Sequence, residues 1–487
     1  MDKNVSKLSH HKLHKKKGLI ATPFNDGLRD QLSFSSWTQE RMPDYLWLGL
    51  ILMYYGRNEG LKRVAKIFSK ITEDVKKIDF PRLSIILSAN EEDKRSIFKI
   101  ISENIDKHIL SPLTVIYLPS DYPIFNEYFN VLQISVETRI NQLSEAIKLY
   151  YFHQSHEATD LRFLAIYYQS LLRKMHFAKS TKESAEALEK YPNIEHSDEN
   201  MRRYRPMIRC MEIVTFGDVN NTFNNHFWRK IGMMTSCNPV VIKFDENKDN
   251  YDNYFHCYRK IIKYLFSANK GKSFSDDKFS VIIGLINYAL KIFYEINQNK
   301  LGNSILGRHG IRTIIEIFIM LKYLIKHEKE RPNIWEEFKM YGIGKYKLVL
   351  LKAREKNIDE STHFIPPIVD VLVNEIKWEE FIDVDLKYFD DQNIRKKSED
   401  VGEKELYDIC YDYDSSFAHG LWGAIRESSM LHCDNPTHQY HSVPDTENNQ
   451  RLPDVKSDCL KIMNKIFLFL TQIYEVPKNL KDELGVE

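Results

Sequence analysis

Two charged side chains interrupt an apolar stretch of the chain at a spacing that places them side by side on a helix. Arg312 and Glu316 are four residues apart within the mostly apolar run 311–325. Side chains at positions i and i+4 lie on one face of a helix. A buried charge is costly unless it is paired. The pattern therefore predicts two buried side chains that form either a structural ion pair or the lining of a polar pocket.

A second group of polar side chains recurs along residues 405–432, which the sequence predicts to be one helix or two short ones. At about 100° per residue these side chains share one stripe, while the aromatic residues fall elsewhere and would pack. His transfers protons near neutral pH, and an Arg guanidinium binds phosphate through two hydrogen bonds. The stripe indicates either such chemistry or a polar layer that fixes helix register. It comprises Asp408, Asp412, Ser415, Ser416, His419, Gly423 and Arg426.

Arg426 also has a second potential partner, because His432 follows it after five intervening residues. On a continuous helix these two side chains would lie nearly two turns apart and about 120° from facing each other. We therefore expect them to act together only across a helix end or a second subunit.

The next ten residues contain four side chains of the types that bind zinc. They are His432, Cys433, His438 and His441, and zinc is usually bound by four Cys or His ligands. Adjacent residues such as His432 and Cys433 can bind one ion only with strain, and Asn435-Pro436 predicts a turn. We therefore predict no zinc at these four residues, and a loop that folds back over the end of the polar helix.

The remaining pattern predicts an all-α protein. Gly and Pro, at 18 and 16 of 487 residues, make up about 7% of the chain, where about 12% is usual, so long helices with few turns are favoured. Only short segments, such as 113–118 and 240–244, suggest strands. A chain of this length exceeds one ordinary core. We expect a basic disordered tail over 1–34, a mostly helical N-terminal domain over 35–243 and a C-terminal helical bundle over 254–487.

Composition restricts the class of function. Lys and Arg number 69 and Asp and Glu 68, a net charge of +1, so no overall field attracts the chain to nucleic acid or a membrane. The run 45–55 is too short to cross a bilayer, which takes about 20 residues. Six scattered cysteines without a C-x-x-C pair are typical of reduced thiols in the cytoplasm. We predict a cytoplasmic protein without a membrane anchor, cofactor or metal.

Three motifs together resemble a known family. They are RTIIE at 312–316, SSFAHGLW at 415–422 and CDNPTH at 433–438. Over residues 275–476 the chain resembles a family of bacterial helical proteins of unknown function. That family is similar in helix pattern to the HEPN superfamily, whose small helical bundles are frequent in toxin–antitoxin and anti-phage systems. Many HEPN proteins are metal-independent ribonucleases that carry an Arg followed four to six residues later by His.

The resemblance implies a HEPN-like, metal-independent RNA-cleaving effector of bacterial defence. Arg426 and His432 match the HEPN spacing, although Glu427 stands where those nucleases usually have Asn, Asp or His. The other implied site places Arg312, Glu316 and His419 at the polar centre of the bundle. RNA, a second copy bound through the bundle, and a defence-system protein are the implied partners. The alternative is a non-catalytic helical sensor or scaffold, in which the Arg/Glu/His cluster is structural or binds a small ligand.

Overall fold

The structure, a computed structural model, describes residues 7–28, 35–75, 78–175, 177, 182–271, 275–356 and 363–485. The chain forms two compact units. Unit 1 comprises Met1–Asn238 and Cys433–His441, and unit 2 comprises Pro239–His432 and Ser442–Glu487. Residues 433–441 thus group with the N-terminal half, whereas the sequence analysis kept them with the C-terminal bundle.

Up to Asn238, the residues of unit 1 that the structure describes form helices and one hairpin, joined by loops. Its strands β1 (Lys12–His14) and β2 (Leu19–Ala21) pair antiparallel, with Leu13 opposite Ile20. The described part of the expected disordered tail therefore contains local structure. The helices are α1 (Pro23–Leu28), α2 (Met42–Tyr55), α3 (Arg57–Asp74), α4 (Leu83–Ser88), α5 (Glu91–Asn104), α6 (Pro123–Phe129), α7 (Val136–Tyr150), α8 (His156–Leu171), α9 (Lys182–Lys190), α10 (Met201–Thr215) and α11 (Asn221–Met234).

Helix α2 forms the centre of the unit 1 core. Every residue from Met42 to Leu52 is buried, because the segment is apolar on all faces. Its Gly49 allows the close approach of Tyr150, since a Cβ there would lie 2.7 Å from the tyrosine ring. The Tyr150 hydroxyl donates a hydrogen bond to the Gly49 carbonyl oxygen at 3.0 Å. Close packing around α2 therefore depends on a residue without a side chain.

Unit 2 is also mainly helical, which confirms the all-α prediction for the described residues. Its short strands are β3 (Pro239–Val240), β4 (Met430–Cys433) and β5 (Ser442–Pro444), in the order β3-β4-β5. The helices are α12 (Asp252–Ala268), α13 (Asp277–Gln298), α14 (Ile305–His327), α15 (Ile334–Lys356), α16 (Pro366–Asn374), α17 (Ile394–Asp400), α18 (Lys404–Leu406), α19 (Asp412–Ala418), α20 (Trp422–Ser429), α21 (Lys456–Ile473) and α22 (Lys478–Leu484).

Helix α14 occupies the centre of the unit 2 core. Its apolar side chains pack with those of α13 and α21 in one buried cluster. Gly310 permits close packing against α13, because a Cβ there would lie 2.5 Å from Ile296. By length and composition, α13 is the one described helix that could cross a membrane, and its Ile282, Ile286 and Phe293 are buried in this cluster.

The structure corrects two local predictions. Residues 113–118 do not form a strand, since Ser111–Val115 is a 3₁₀ helix, and β3 contains only the first residue of 240–244. Residues 405–432 follow the second alternative for this segment, two short helical stretches, and end in β4. A π-helical turn, Tyr407–Tyr411, precedes α19, and Gly420 with φ +57° ends α19 before α20 begins. Glycine adopts this left-handed conformation without steric cost, which is why it commonly follows a helix end.

Candidate functional site

Arg312 lies at the centre of a polar cluster in unit 2. Its Nε donates to Ser415 Oγ at 2.9 Å, and its Nη2 donates to the Tyr411 hydroxyl at 2.6 Å. Its Nη1 is 3.5 Å from Glu316 Oε2, and the guanidinium lies 4.6 Å from the centre of the Tyr411 ring. Each guanidinium nitrogen therefore has a protein partner.

Glu316 is equally well satisfied. Its Oε1 accepts a hydrogen bond from the Tyr388 hydroxyl at 2.8 Å, and its Oε2 accepts one from Tyr411 at 3.1 Å. Burial, together with the nearby carboxylate, raises the pKa of both tyrosines, so both hydroxyls remain donors. The predicted ion pair is present. The predicted burial is wrong, because the Arg312 and Glu316 side chains are 24% and 28% exposed.

A more deeply buried pair lies one turn away. Arg308 and Asp414 are both buried, with Nη1 3.9 Å from Oδ1, and Arg308 Nη2 donates to the Pro453 carbonyl at 2.9 Å. Burial raises the pKa of Asp414 to about 7, despite the opposing effect of Arg308. Asp414 was not among the candidate residues, because it lies three residues before Phe417 on the face of the helix expected to pack, outside the polar stripe.

The structure breaks up the predicted polar stripe. Asp408 and Asp412 are exposed, whereas Ser415 faces α14 and binds Arg312. His419 is exposed at the end of α19, and its ring makes no hydrogen bond or ion pair with any residue that the structure describes. The His419 backbone N–H donates to the Ser415 carbonyl at 3.1 Å, so Ser415, which binds Arg312, connects the histidine to the cluster.

Arg426 and His432 lie on different elements. Arg426 is in α20, and its Nη1 donates to the Met430 carbonyl at 2.8 Å. His432 is in β4, where it pairs with Ser442. Glu427, next to Arg426, accepts a hydrogen bond from the Tyr413 hydroxyl at 2.6 Å. The pair thus spans a helix end, the arrangement in which the sequence allowed the two side chains to cooperate.

A further polar cluster, around Lys397 of α17, carried no signal in the sequence. The lysine is completely buried, and its Nζ donates to the carbonyls of Phe389 at 2.7 Å and Gln392 at 3.0 Å. Burial lowers the pKa of Lys397 to about 8. Nearby, Tyr323 donates a hydrogen bond to Asp390. With two backbone acceptors, the ammonium anchors the loop before α17.

Four possible metal ligands meet in unit 1. Atoms of Cys237, Cys433, His438 and His441 lie within 4.8 Å of one another. His432, one of the four residues on which the prediction of no zinc was based, is not in this group. Cys237 takes its place, although it lies almost two hundred residues earlier in the sequence.

One region of the chain matches the model of a known protein family. A family model described as a family of unknown function, DUF5677, matches residues 279–438. This region contains the three motifs around Arg312, His419 and Cys433. No curated protein and no solved structure shows significant similarity to the chain. The matched third of the sequence thus resembles a domain family of unknown function.

Proposed function

We propose that unit 2 is a non-catalytic helical sensor or scaffold, in which the polar cluster around Arg312 is structural. One observation supports this proposal above all. Each guanidinium nitrogen of Arg312 and each carboxylate oxygen of Glu316 already has a partner in the cluster formed with Ser415, Tyr411 and Tyr388.

The contacts of Arg312 bear directly on catalysis. An arginine that stabilises a phosphate in a transition state must point donors at the phosphate oxygens. Three of the five N–H donors of Arg312 already point at Ser415, Tyr411 and Glu316. A phosphate at the remaining donors would lie close to the Glu316 carboxylate, and Glu427 is likewise next to Arg426, so repulsion between like charges opposes phosphate binding.

The cluster instead supports an exposed corner between α19 and α20. Leu421, Trp422 and Ile425 are exposed there, and Trp422 is 66% exposed. Exposed apolar side chains grouped in this way are typical of protein interaction sites. We propose that this corner mediates the homodimer expected for the C-terminal bundle.

The oligomeric state tests this proposal. Trp422→Ala should lower the fraction of dimer measured by light scattering after gel filtration. Trp378→Ala is the matched control, since Trp378 of unit 2 is 62% exposed and lies outside the corner. Equal effects of both substitutions, or a wild-type chain that stays monomeric at high concentration, would contradict the proposal.

A second candidate function is metal-independent RNA cleavage in bacterial defence, and the exposed His419 favours it. An imidazole without a protein partner is free to take the proton of a ribose 2′-OH, whose oxygen then attacks the adjacent phosphorus. Cleavage would leave a 2′,3′-cyclic phosphate, and DNA would be untouched because it lacks the hydroxyl. RNA and a defence-system protein in the cytoplasm would then be the partners.

Incubation with total RNA separates the two functions. The scaffold proposal predicts intact RNA with and without EDTA. The nuclease candidate predicts cleavage that survives EDTA and is lost in His419→Ala, but not in His256→Ala, an exposed histidine on α12. Loss in Arg426→Ala and His432→Ala, with His419→Ala still active, would transfer the site to that pair.

A further inference from the structure

We propose that Cys237, Cys433, His438 and His441 form a structural zinc site in unit 1. The four side chains offer two sulfur and two imidazole nitrogen ligands, all within 4.8 Å of one another. This inference is independent of the function proposed for unit 2.

The distances between ligand atoms agree with tetrahedral zinc. Zn–S bonds of about 2.3 Å and Zn–N bonds of about 2.0–2.1 Å set ligand atoms roughly 3.3–3.8 Å apart in a tetrahedron. Cys237 Sγ lies 3.2 Å from His438 Nδ1 and 3.3 Å from His441 Nε2, and Cys433 Sγ lies 3.8 Å from His438 Nδ1. All six pairs of ligand atoms lie within 4.8 Å, so one ion at the centre could contact all four atoms after shifts of up to about 1 Å.

The second nitrogen of His438 is oriented as in a zinc ligand. Its Nε2 lies 2.9 Å from Thr235 Oγ1 and 3.2 Å from the Thr235 carbonyl oxygen. The threonine hydroxyl itself donates to the Ile231 carbonyl at 3.0 Å, so its oxygen can accept a hydrogen bond from the N–H at Nε2 of His438. This arrangement fixes the proton on Nε2 and leaves the Nδ1 lone pair facing the two sulfurs. Metal-binding histidines commonly donate their other N–H in this way.

The backbone around the site is held in place by bonds that do not involve the ion. The Asn238 N–H donates to Cys433 Sγ at 3.3 Å, and the Asp434 N–H donates to the Asn238 carbonyl at 2.8 Å. The Cys433 N–H donates to the His441 carbonyl at 2.9 Å. The sulfur of Cys433 and the return of the chain at His441 are thus positioned before any metal binds.

The ligand set favours zinc and a structural role. Tetrahedral sites with two sulfurs and two nitrogens are typical of zinc, and four protein ligands leave no position open for a substrate. The ion would tie the segment 433–441 to the end of α11, which lies about two hundred residues earlier in the chain. Because these four ligands meet only when the chain is folded, the free energy of zinc binding would add to the folding free energy of unit 1.

The expectation of no zinc was based on His432 and Cys433 as adjacent ligands, which could bind one ion only with strain. His432 is not one of the four ligands proposed here. The structure provides Cys237 instead, so the objection from adjacency does not apply to the four residues that meet.

Metal analysis of the full-length chain tests the site. Protein purified from zinc-supplemented cells should contain about one zinc per chain, as expected for a closed four-ligand site. His441→Ala should lose most of this zinc, and because His441 is exposed the variant should still fold. His432→Ala is the matched control and should retain zinc. Cys237→Ser should lose zinc, whereas Cys210→Ser, at another exposed cysteine, should not.

Two further measurements make the test decisive. Cobalt added to chelator-treated protein should give the visible absorption of a tetrahedral thiolate site in wild type and not in Cys237→Ser. Chelation should lower the thermal midpoint of wild type and leave that of Cys237→Ser unchanged. Three results would overturn the proposal. They are a zinc content well below one per chain in folded wild type, equal zinc in His441→Ala and His432→Ala, and a Cys237–Cys433 disulfide in protein purified with a reducing agent.

Discussion

Each unit contains an arginine–glutamate cluster, and the two clusters differ in how far they are removed from water. In unit 1, Glu212 is completely buried, with Arg41 Nη1 at 2.7 Å and Arg162 Nε at 3.5 Å from its Oε2. In unit 2, Arg312 and Glu316 remain about a quarter exposed. Burial raises the pKa of Glu212 and lowers the pKa of Arg162 to about 10.

The partners of the two clusters differ as well. The guanidinium of Arg162 lies 4.3 Å from the centre of the Trp37 ring, and this ring covers the charged group on one side. In unit 2 the tyrosine hydroxyls of Tyr388 and Tyr411 hydrogen-bond the carboxylate directly. A carboxylate with two hydroxyl donors and access to water depends less on its arginine than one sealed between two guanidinium groups.

The largest effect should come from unit 1. Glu212→Ala leaves two buried guanidinium groups without their counter-charge, which should cost about 3–5 kcal/mol of unfolding free energy. Urea unfolding of the full chain measures this loss. Glu40→Ala is a control, since Glu40 is a partly buried glutamate of unit 1 outside the cluster. A loss no greater than that of Glu316→Ala would remove the contrast between the two units.

The pH dependence of unfolding distinguishes the partly exposed pair Arg312–Glu316 from the buried pair Arg308–Asp414. The pKa of Asp414, near 7 in the folded state, exceeds the value of about 3.9 expected in the unfolded chain. The folded state therefore binds the proton more tightly, and this contribution is complete below about pH 4 and lost as the pH rises to 7. Asp414→Asn should remove a slope of up to about 1.4 kcal/mol per pH unit in this window.

The control for that experiment is Asp412→Asn, since Asp412 is exposed on the same helix. Thermal or urea unfolding at several pH values between 4 and 8 gives the slopes. An Asp414→Asn variant with the same slope as wild type would show that another group governs the pH dependence of unit 2.

These clusters show what the sequence could and could not reveal. The i,i+4 spacing of Arg312 and Glu316 predicted an ion pair on one face of a helix, and both residues lie on α14 as such a pair. Glu212 went unnoticed because its partner Arg41 is 171 residues away, and no local pattern records such a pair. Cys237 was overlooked for the same reason.

Gly420 is a sequence feature that indicates the end of a helix. Gly420 follows the end of α19, the position at which glycine commonly terminates a helix, and it divides the predicted stripe between His419 and Arg426. Asp414 lies three residues before the buried Phe417, so helical spacing predicts its burial, but no local pattern reveals its partner Arg308 on α14.

A smaller effect is expected at Glu316. Glu316→Ala removes a charge that still reaches water, so we expect a loss of about 1–2 kcal/mol, below the range for a fully buried pair. Urea unfolding of this variant beside Glu212→Ala measures the contrast between the units directly. Glu336→Ala, at a solvent-exposed position of α15, is the control. A loss as large as that of Glu212→Ala would mean that exposure does not decide the strength of these clusters.

The smallest difference in unfolding free energy is expected between substitutions of the two tyrosines that bind Glu316. Tyr411 both donates to Glu316 and accepts from Arg312, whereas Tyr388 donates to Glu316. Tyr411→Phe removes two hydrogen bonds and should cost about 1–2 kcal/mol, while Tyr388→Phe removes one and should cost about 0.5–1 kcal/mol. The Phe substitution keeps the ring that packs against the guanidinium, so the difference in urea unfolding reports the hydroxyl alone. Equal losses would show that the Arg312–Tyr411 bond adds nothing to stability. Arg312 would then be free to turn towards a ligand, which would favour the catalytic candidate over the scaffold.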